Sequence, residues 1–304
     1  MAGNLEKVFE RIDRVINRLV AKSERQIAQR YAQTLLEIRT LLAKYYERYE
    51  QGGTLTYAEM AKYDRLYKLL KEIDRMLGQN YKDLAKIYQD VLGEAYQEGY
   101  YLTAWAIETD VQAKLAYSTV VGDTILAMIN NPISGLSLNM RLKKNRADIV
   151  HKIQQELTQG LVKGETYSSM AKRLKGALEG DAVKATRIVR TEGHRVQESS
   201  KHDAVEHAHK QGVVMAKEWN SLGDEVVRAG VLANHRKLNG VKIPVHENFK
   251  QGGASGPAPG QMGTAAHDIN CRCFLTYTVV RVERKTHTEM ESVTYDKWLK
   301  ERRF

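Results

Sequence analysis

Both cysteines of this 304-residue chain, Cys271 and Cys273, stand one residue apart in the stretch HDINCRCF near the C-terminus. Thiolate and neutral imidazole are zinc ligands, and His235 and His267 with the two sulfurs could complete a tetrahedral site. The spacing is not that of a common zinc finger. Alternate side chains of an extended segment share a face, so the two sulfurs would point together, toward one ion or into one core. The other reading is two small buried thiols beside a hydrogen-bonded histidine, since free cysteine is commonly buried. Nothing in the sequence fixes a general base beside either sulfur, which argues against a catalytic thiolate. No organic cofactor is called for; a structural zinc is the one metal these residues would hold.

Three further constellations carry titratable groups. Arg190-Thr191-Glu192 with Arg195 places a carboxylate near an arginine on one helical face. It could be an active-site acid, but paired ions on a helix are usually structural, so it reads as a salt-bridge hub tying the helix to a neighbouring sheet. His202, Glu206, His207 and His209 lack the H-E-x-x-H order of zinc proteases and read as a solvated polar face. Asn234 to Gly240 ends in Asn-Gly, a tight-turn signal, with His235 and Arg236 just before it. No P-loop, GxGxxG, GxSxG or nuclease carboxylate cluster is present.

Long helices must carry most of the chain. Residues 4–50 hold neither Gly nor Pro, and Leu5, Val8, Ile12, Val15 and Leu19 recur at helical spacing. The stripe resumes after a shift near Ser23 with Ile27, Tyr31, Leu35, Ile38, Leu42 and Tyr45, so one helix or two end to end are expected. Thr56 and Glu59 form a capping box for a helix ending at Gly78-Gln79-Asn80, and residues 81–117 continue in kind. The many tyrosines of this part suit packing faces that keep a hydroxyl wet. Residues 147–159 and 166–178 read as short helices, followed by one over 182–210 in which Gly193 implies a close packing contact. Beyond Gly212, Val213–Trp219, Val241–Val245 and Cys273–Arg281 read as strands and 224–237 as a helix. The Gly/Pro-rich stretch 251–263 reads as a mobile loop, and Trp298 and Leu299 as a docking point in the charged tail.

The expected fold is therefore mainly α: a long-helix N-terminal bundle followed by a small α+β C-terminal module. The expected divisions are 1–130 (bundle, the candidate partner-binding part), 131–210 (helical connector with the RTE helix), 211–282 (module) and 283–304 (tail).

Mean hydropathy is −0.50 and 28% of residues are charged. No apolar run nears the ~20 residues of a membrane span. The helical, charged N-terminus does not read as a signal peptide, and Cys-x-Cys does not make a disulfide framework, so synthesis in a reducing cytoplasm is expected. The net charge of +10 is uneven: residues 1–130 carry 18 basic and 18 acidic residues, residues 131–304 carry 29 and 19. Such a surplus attracts phosphate, although charge alone is weak evidence for a partner. Arg141, Lys143, Lys144 and Arg146 form its densest short run and are the candidate nucleic-acid contacts.

Together these pieces resemble the phage head morphogenesis (Mu F-like) family of minor capsid proteins. The family's R-T-E-x-x-R helix falls on Arg190, Thr191, Glu192 and Arg195, its strand tryptophan on Trp219, and its H-x-x-L-x-G turn on His235, Leu238 and Gly240. Phe249 follows, and the closing N-C-R-C strand is Asn270, Cys271, Arg272 and Cys273. The acidic residue and arginine expected after the tryptophan fall on Asp224 and Arg228, beside Val227. The helical stretch from Ile149 to Leu174 fits as well, so the resemblance covers about residues 145–280. It implies a non-enzymatic protein of a tailed-phage procapsid, made in the host cytoplasm. Such a protein is bound to the portal inside the head, next to scaffolding or major capsid protein, touches packaged DNA non-specifically and has no membrane partner. No toxin domain of the kind some relatives carry is expected beyond the motif. Two other classes remain open: a metal-dependent nuclease or related enzyme using His235, Glu192, His267 and the cysteines, and a regulatory DNA-binding protein. The last is disfavoured because no helix-turn-helix with a basic recognition helix is evident.

Overall fold

The computed structural model describes residues 2–132, 135–283 and 288–302. Eight helices and five strands follow one another in these segments: α1 (Ala2–Tyr49), α2 (Tyr57–Ala61), α3 (Arg65–Val111), α4 (Gly122–Asn130), α5 (Leu138–Val162), α6 (Tyr167–Lys210), β1 (Val213–Asn220), β2 (Lys242–Pro244), β3 (Phe249–Gln251), β4 (Ala254–Gly256), α7 (Ala265–Asp268), β5 (Phe274–Val282) and α8 (Tyr295–Lys300). The protein is mainly α, with long N-terminal helices and a small C-terminal α+β module. It divides into two compact units, one of Met1–Ala21, Asp90–Leu138 and Arg190–Phe304, the other of Lys22–Gln89 and Asn139–Val189. Helices α1, α3 and α6 each contribute a segment to both.

The long helices are less interrupted than their sequence suggests. In α1 the buried positions run Leu5, Val8, Ile12, Ile16, Ser23, Ile27, Tyr31, Thr34, Ile38, Leu42, Tyr46. Ser23 is itself a member of the stripe, so the apparent shift there is a polar residue in a core position rather than a helix end. Helix α3 passes through Gly78-Gln79-Asn80 without a break. The Arg146 guanidinium packs over Gly78, where a Cβ would stand 3.4 Å from Nη2, and the buried Asn80 side chain accepts a hydrogen bond from Thr34 Oγ1 at 3.1 Å. Helix α6 likewise runs on through Gly176 and Gly180.

The all-helical unit is packed around Ile27, Ile38, Leu42, Ile73, Leu77, Leu84, Ile149, Ile153, Leu157 and Leu174. Its tyrosines bury their rings and find polar partners. Tyr31 and Tyr81 both donate to Asp181 Oδ2, at 2.6 and 2.8 Å, and Tyr88 donates to the Ala185 carbonyl at 2.8 Å. Burial raises the Asp181 pKa, opposed by the two hydroxyl bonds. Asp181 thereby joins α1, α3 and α6 through one carboxylate.

The mixed unit surrounds the sheet. Its order is β2-β1-β5, both pairings antiparallel, with Trp219 opposite Leu275 and Tyr277 opposite Lys217. Strand β1 alternates strictly, burying Val213, Met215, Lys217 and Trp219. Gly193 allows α6 to approach α1: a Cβ there would lie 2.7 Å from Val20 Cγ2.

Several expectations need correction here. Residues 224–237 contain no helix; they form turns and bends, and the Val226, Val231 and Leu232 that suggested helical periodicity are exposed. Residues 251–263 are not an unpacked mobile loop. They include the β3–β4 hairpin, and Ala254, Ala258 and Met262 are buried. The segment is rich in small residues because backbone meets backbone: a Cβ on Gly256 would fall 2.0 Å from the Gln261 carbonyl oxygen. The histidines of α6 are not a solvated face. His202 is 8% exposed, His207 bonds the Leu115 carbonyl at 2.7 Å and lies against Tyr117, and His209 stacks on His246. The tail folds back in the mixed unit: Trp298 is fully buried, its Nε1 donating to Glu108 Oε2 at 2.6 Å, and Leu299 beside it is half-buried. Residues 284–287 and 303–304 of the expected tail lie outside the described residues.

Two outcomes are expected. Asp181→Ala strands two buried hydroxyls and should lower the urea-denaturation free energy by about 1–3 kcal/mol, with Asp181→Asn costing less. Burial lowers the Lys217 pKa from 10.5 to about 8. The unfolded chain therefore holds that proton over a range where the folded chain has released it, and stability gains from rising pH between these values. Denaturation midpoints of the wild type should rise across this window relative to those of Lys217→Met.

Candidate metal centre

Four short segments of the module bring the sulfur and imidazole groups together. Near the end of β1, Trp219 N–H donates to the Val241 carbonyl at 3.0 Å while Gly240 N–H donates back to the Trp219 carbonyl at 2.8 Å. This closes the irregular 221–241 loop onto the strand end, and Gly240 makes the turn at φ +78°. Within the loop, His235 N–H donates to the Arg228 carbonyl at 2.9 Å. Helix α7 supplies His267. Its neighbour Asp268 accepts from the Met262 and Gly263 N–H groups at 2.8 and 2.9 Å, which fixes the end of the preceding loop.

Asn270 then takes a left-handed conformation, φ +55°, one that asparagine tolerates better than most residues. Its N–H reaches Thr191 Oγ1 at 3.3 Å. The turn aims Cys271 and Cys273 inward and leaves Arg272 outside, paired with Asp224 at 2.7 Å. Arg228 donates to the Ile269 carbonyl. The acid and the arginine that follow Trp219 thus both tie the loop to the cysteine segment.

The result is a closed polar cluster. His235 Nδ1 lies 3.6 Å from Cys271 Sγ and 3.4 Å from Cys273 Sγ, and these three ligand-type atoms all fall within 4.8 Å of one another. His267 stands on the other side of the His235 ring, its Nδ1 3.1 Å from His235 Nε2 and its own Nε2 3.1 Å from the Leu232 carbonyl. All four side chains are at most 3% exposed. Trp219 meets His235 edge-on at 5.3 Å and Phe249 at 5.2 Å, roofing the cluster with aromatic surface. The closeness of the two sulfurs lowers the Cys273 pKa, while the same interaction and burial raise that of Cys271.

The RTE helix supports this cluster from below. Glu192 and Arg195 form a buried ion pair at 2.7 Å, and Arg195 also donates to the Met128 carbonyl at 2.9 Å. One turn on, Glu198 pairs with Lys201 and accepts the Leu275 N–H at 2.8 Å. Glu198 and Lys201 were not singled out in the sequence, although they repeat the acid-x-x-base spacing of Glu192 and Arg195. Lys217 was missed too; as the charged residue at an inward position of β1 it stands out, and it donates to the Pro257 carbonyl at 2.8 Å. Leu232 could not have been found, because only its carbonyl takes part. Leu238 is buried and its N–H closes the turn onto the His235 carbonyl at 3.2 Å, while Arg190 is exposed. The basic run belongs to the all-helical unit: Lys143 and Lys144 are exposed on α5, Arg141 is half-buried, and Arg146 pairs with Asp74 at 2.7 Å.

The profile of the family described as Phage Mu protein F like protein matches residues 151–276. The chain is 32% identical over 304 residues to the minor head protein GP7 of Bacillus phage SPP1, covering 97% of each chain. It is 26% identical over 287 residues to NAD(+)--arginine ADP-ribosyltransferase EFV of Enterococcus faecalis (strain ATCC 700802 / V583), covering 92% of this chain and 58% of that protein. No solved structure matches significantly. The chain belongs to the Mu F-like head morphogenesis family.

Removing one member of a buried pair leaves an uncompensated charge, at a cost of about 3–5 kcal/mol. Glu192→Ala should therefore unfold the mixed unit at much lower urea than the wild type, and Glu192→Leu with Arg195→Met should recover most of the loss in the same measurement.

Proposed function

We propose that this protein is a non-enzymatic minor head protein that binds the portal during procapsid assembly, lies inside the head near it, and contacts packaged DNA without sequence preference. The observation that carries the reading is the end-to-end similarity to a phage minor head protein, which extends over the long helices as well as the motif module. The burial of Glu192 and Arg195 supports a structural rather than a catalytic use of the motif. The helices offer exposed apolar and aromatic side chains for partners such as portal, scaffolding or major capsid protein, among them Leu36, Tyr57, Tyr63 and Tyr67. Exposed Lys143 and Lys144, in the half of the chain that carries the basic surplus, suit phosphate contacts whose strength comes from counterion release. The stretch shared with the enterococcal protein is 58% of that protein, and we read it as a head-protein module common to both.

The test is capture of procapsid proteins from phage lysate by the purified chain at two salt concentrations, read by mass spectrometry, together with a DNA-binding titration. Portal recovery is expected, as is DNA affinity that falls steeply with salt. Lys143→Glu with Lys144→Glu should weaken DNA binding and reduce the slope of log affinity against log salt by about 2. Arg146 is left intact, because its loss would break the Asp74 pair. Recovery of no portal protein at low salt, or an unchanged slope, overturns the corresponding half of the reading.

A further inference from the structure

We propose that His235, Cys271 and Cys273 bind a zinc ion, with His235 ligating through Nδ1 and His267 acting behind it as the hydrogen-bond partner that orients the ring. Three independent features of the geometry lead there.

The first is the direction of the histidine relay. The Leu232 carbonyl can only accept, so His267 Nε2 donates to it across 3.1 Å. The Nδ1 of a neutral His267 then carries a lone pair, and the proton between the two rings belongs to His235 Nε2. That leaves the His235 Nδ1 lone pair facing the two sulfurs. An imidazole whose outer nitrogen donates to a fixed acceptor is the usual outer-shell arrangement of a metal-bound histidine.

The second is the shape of the cluster. Zinc–sulfur bonds of roughly 2.3 Å and zinc–nitrogen bonds of roughly 2.0–2.1 Å at tetrahedral angles put N and S about 3.5 Å apart. The observed separations are 3.4 and 3.6 Å. One nitrogen lone pair serves one S–H donor, yet here two sulfurs stand at nearly equal distance from it. A shared ion accounts for both.

The third is what the ion would join. The 221–241 loop has neither helix nor strand to hold it, and His235 lies in that loop while the cysteines lead into β5. The ion would cross-link the two segments inside the module. Both sulfurs are buried, and Trp219 packs edge-on against the His235 ring. A donor set of two thiolates and one imidazole suits zinc over harder divalent ions. Binding converts two thiols into zinc-bound thiolates and releases their two protons; no electrons move. Three protein ligands leave the fourth corner for a water molecule.

The full chain, purified under reducing conditions, should carry about one zinc per molecule by elemental analysis. Cobalt(II) added to the stripped protein should give a thiolate-to-cobalt charge-transfer band with the intense visible bands of a four-coordinate site. Cys273→Ser and His235→Ala should lose that spectrum, whereas His267→Ala should keep it with metal affinity about 10–100-fold weaker. Zinc should also slow alkylation of both cysteines in the wild type, a readout that does not require any variant to fold. Folded, reduced wild type that takes up neither metal and whose thiols alkylate equally fast with and without zinc overturns the site. A spectrum that survives His235→Ala but not His267→Ala overturns the assignment of the ligand.

Discussion

Burying ionised groups inside a protein is tolerable only when each finds a partner of good geometry, and α6 buries four of them in succession. Glu192 with Arg195 and Glu198 with Lys201 follow one another along α6, none more than 2% exposed. Their remaining bonds go to other elements: Arg195 reaches the Met128 carbonyl of α4 and Glu198 reaches the Leu275 N–H at the start of β5. If the sheet were not docked there, both pairs would face solvent or a void. The helix therefore dictates where the first residues of β5 lie, and through them where Cys271 and Cys273 lie. Thr191 adds the last increment by holding the Asn270 turn.

The same logic explains why the loop before β2 can do without secondary structure. Its ends are fastened to Trp219, its middle to Ile269 and Arg272 through Arg228 and Asp224, and its histidine to the sulfurs. Backbone regularity is replaced by a set of specific bonds. Exposed Val226, Val231 and Leu232 are carried on this pinned loop.

What the sequence disclosed depended on range. Periodicity, a local property, revealed the long helices and the strand from Phe274 to Val282. It left Ser23 open and misjudged Gly78 and Gly180, because whether a polar or flexible residue ends a helix is decided by its neighbour in space, such as Arg146 over Gly78. The Gly/Pro-rich stretch misled for a related reason: composition that often marks disorder here permits backbone-to-backbone packing at Gly256. In the site, residue types named His235, His267 and both cysteines, and the motif named Thr191 and Asn270. The order in which they connect, with His267 behind His235 and a main-chain carbonyl closing the relay, follows only from three-dimensional positions. Side chains such as Glu198 and Lys201 went unnoticed because charged residues on a helix are ordinarily at the surface.

The division of the chain into units has a bearing on inheritance. Boundaries between the units fall inside α1, α3 and α6 and at the first residue of α5 rather than in linkers. The portion recognised by the family profile, residues 151–276, begins within α5 and leaves out the N-terminal helix, whose Asp13 bonds Gln197 and whose Phe9 packs on Tyr277. The conserved-looking motif is thus not a cassette. Recombination that moved it alone would leave behind the α1 carboxylate that bonds Gln197, so new combinations would have to carry the long helices along with it. The match to the enterococcal protein, which takes in 92% of this chain rather than the motif alone, has that form.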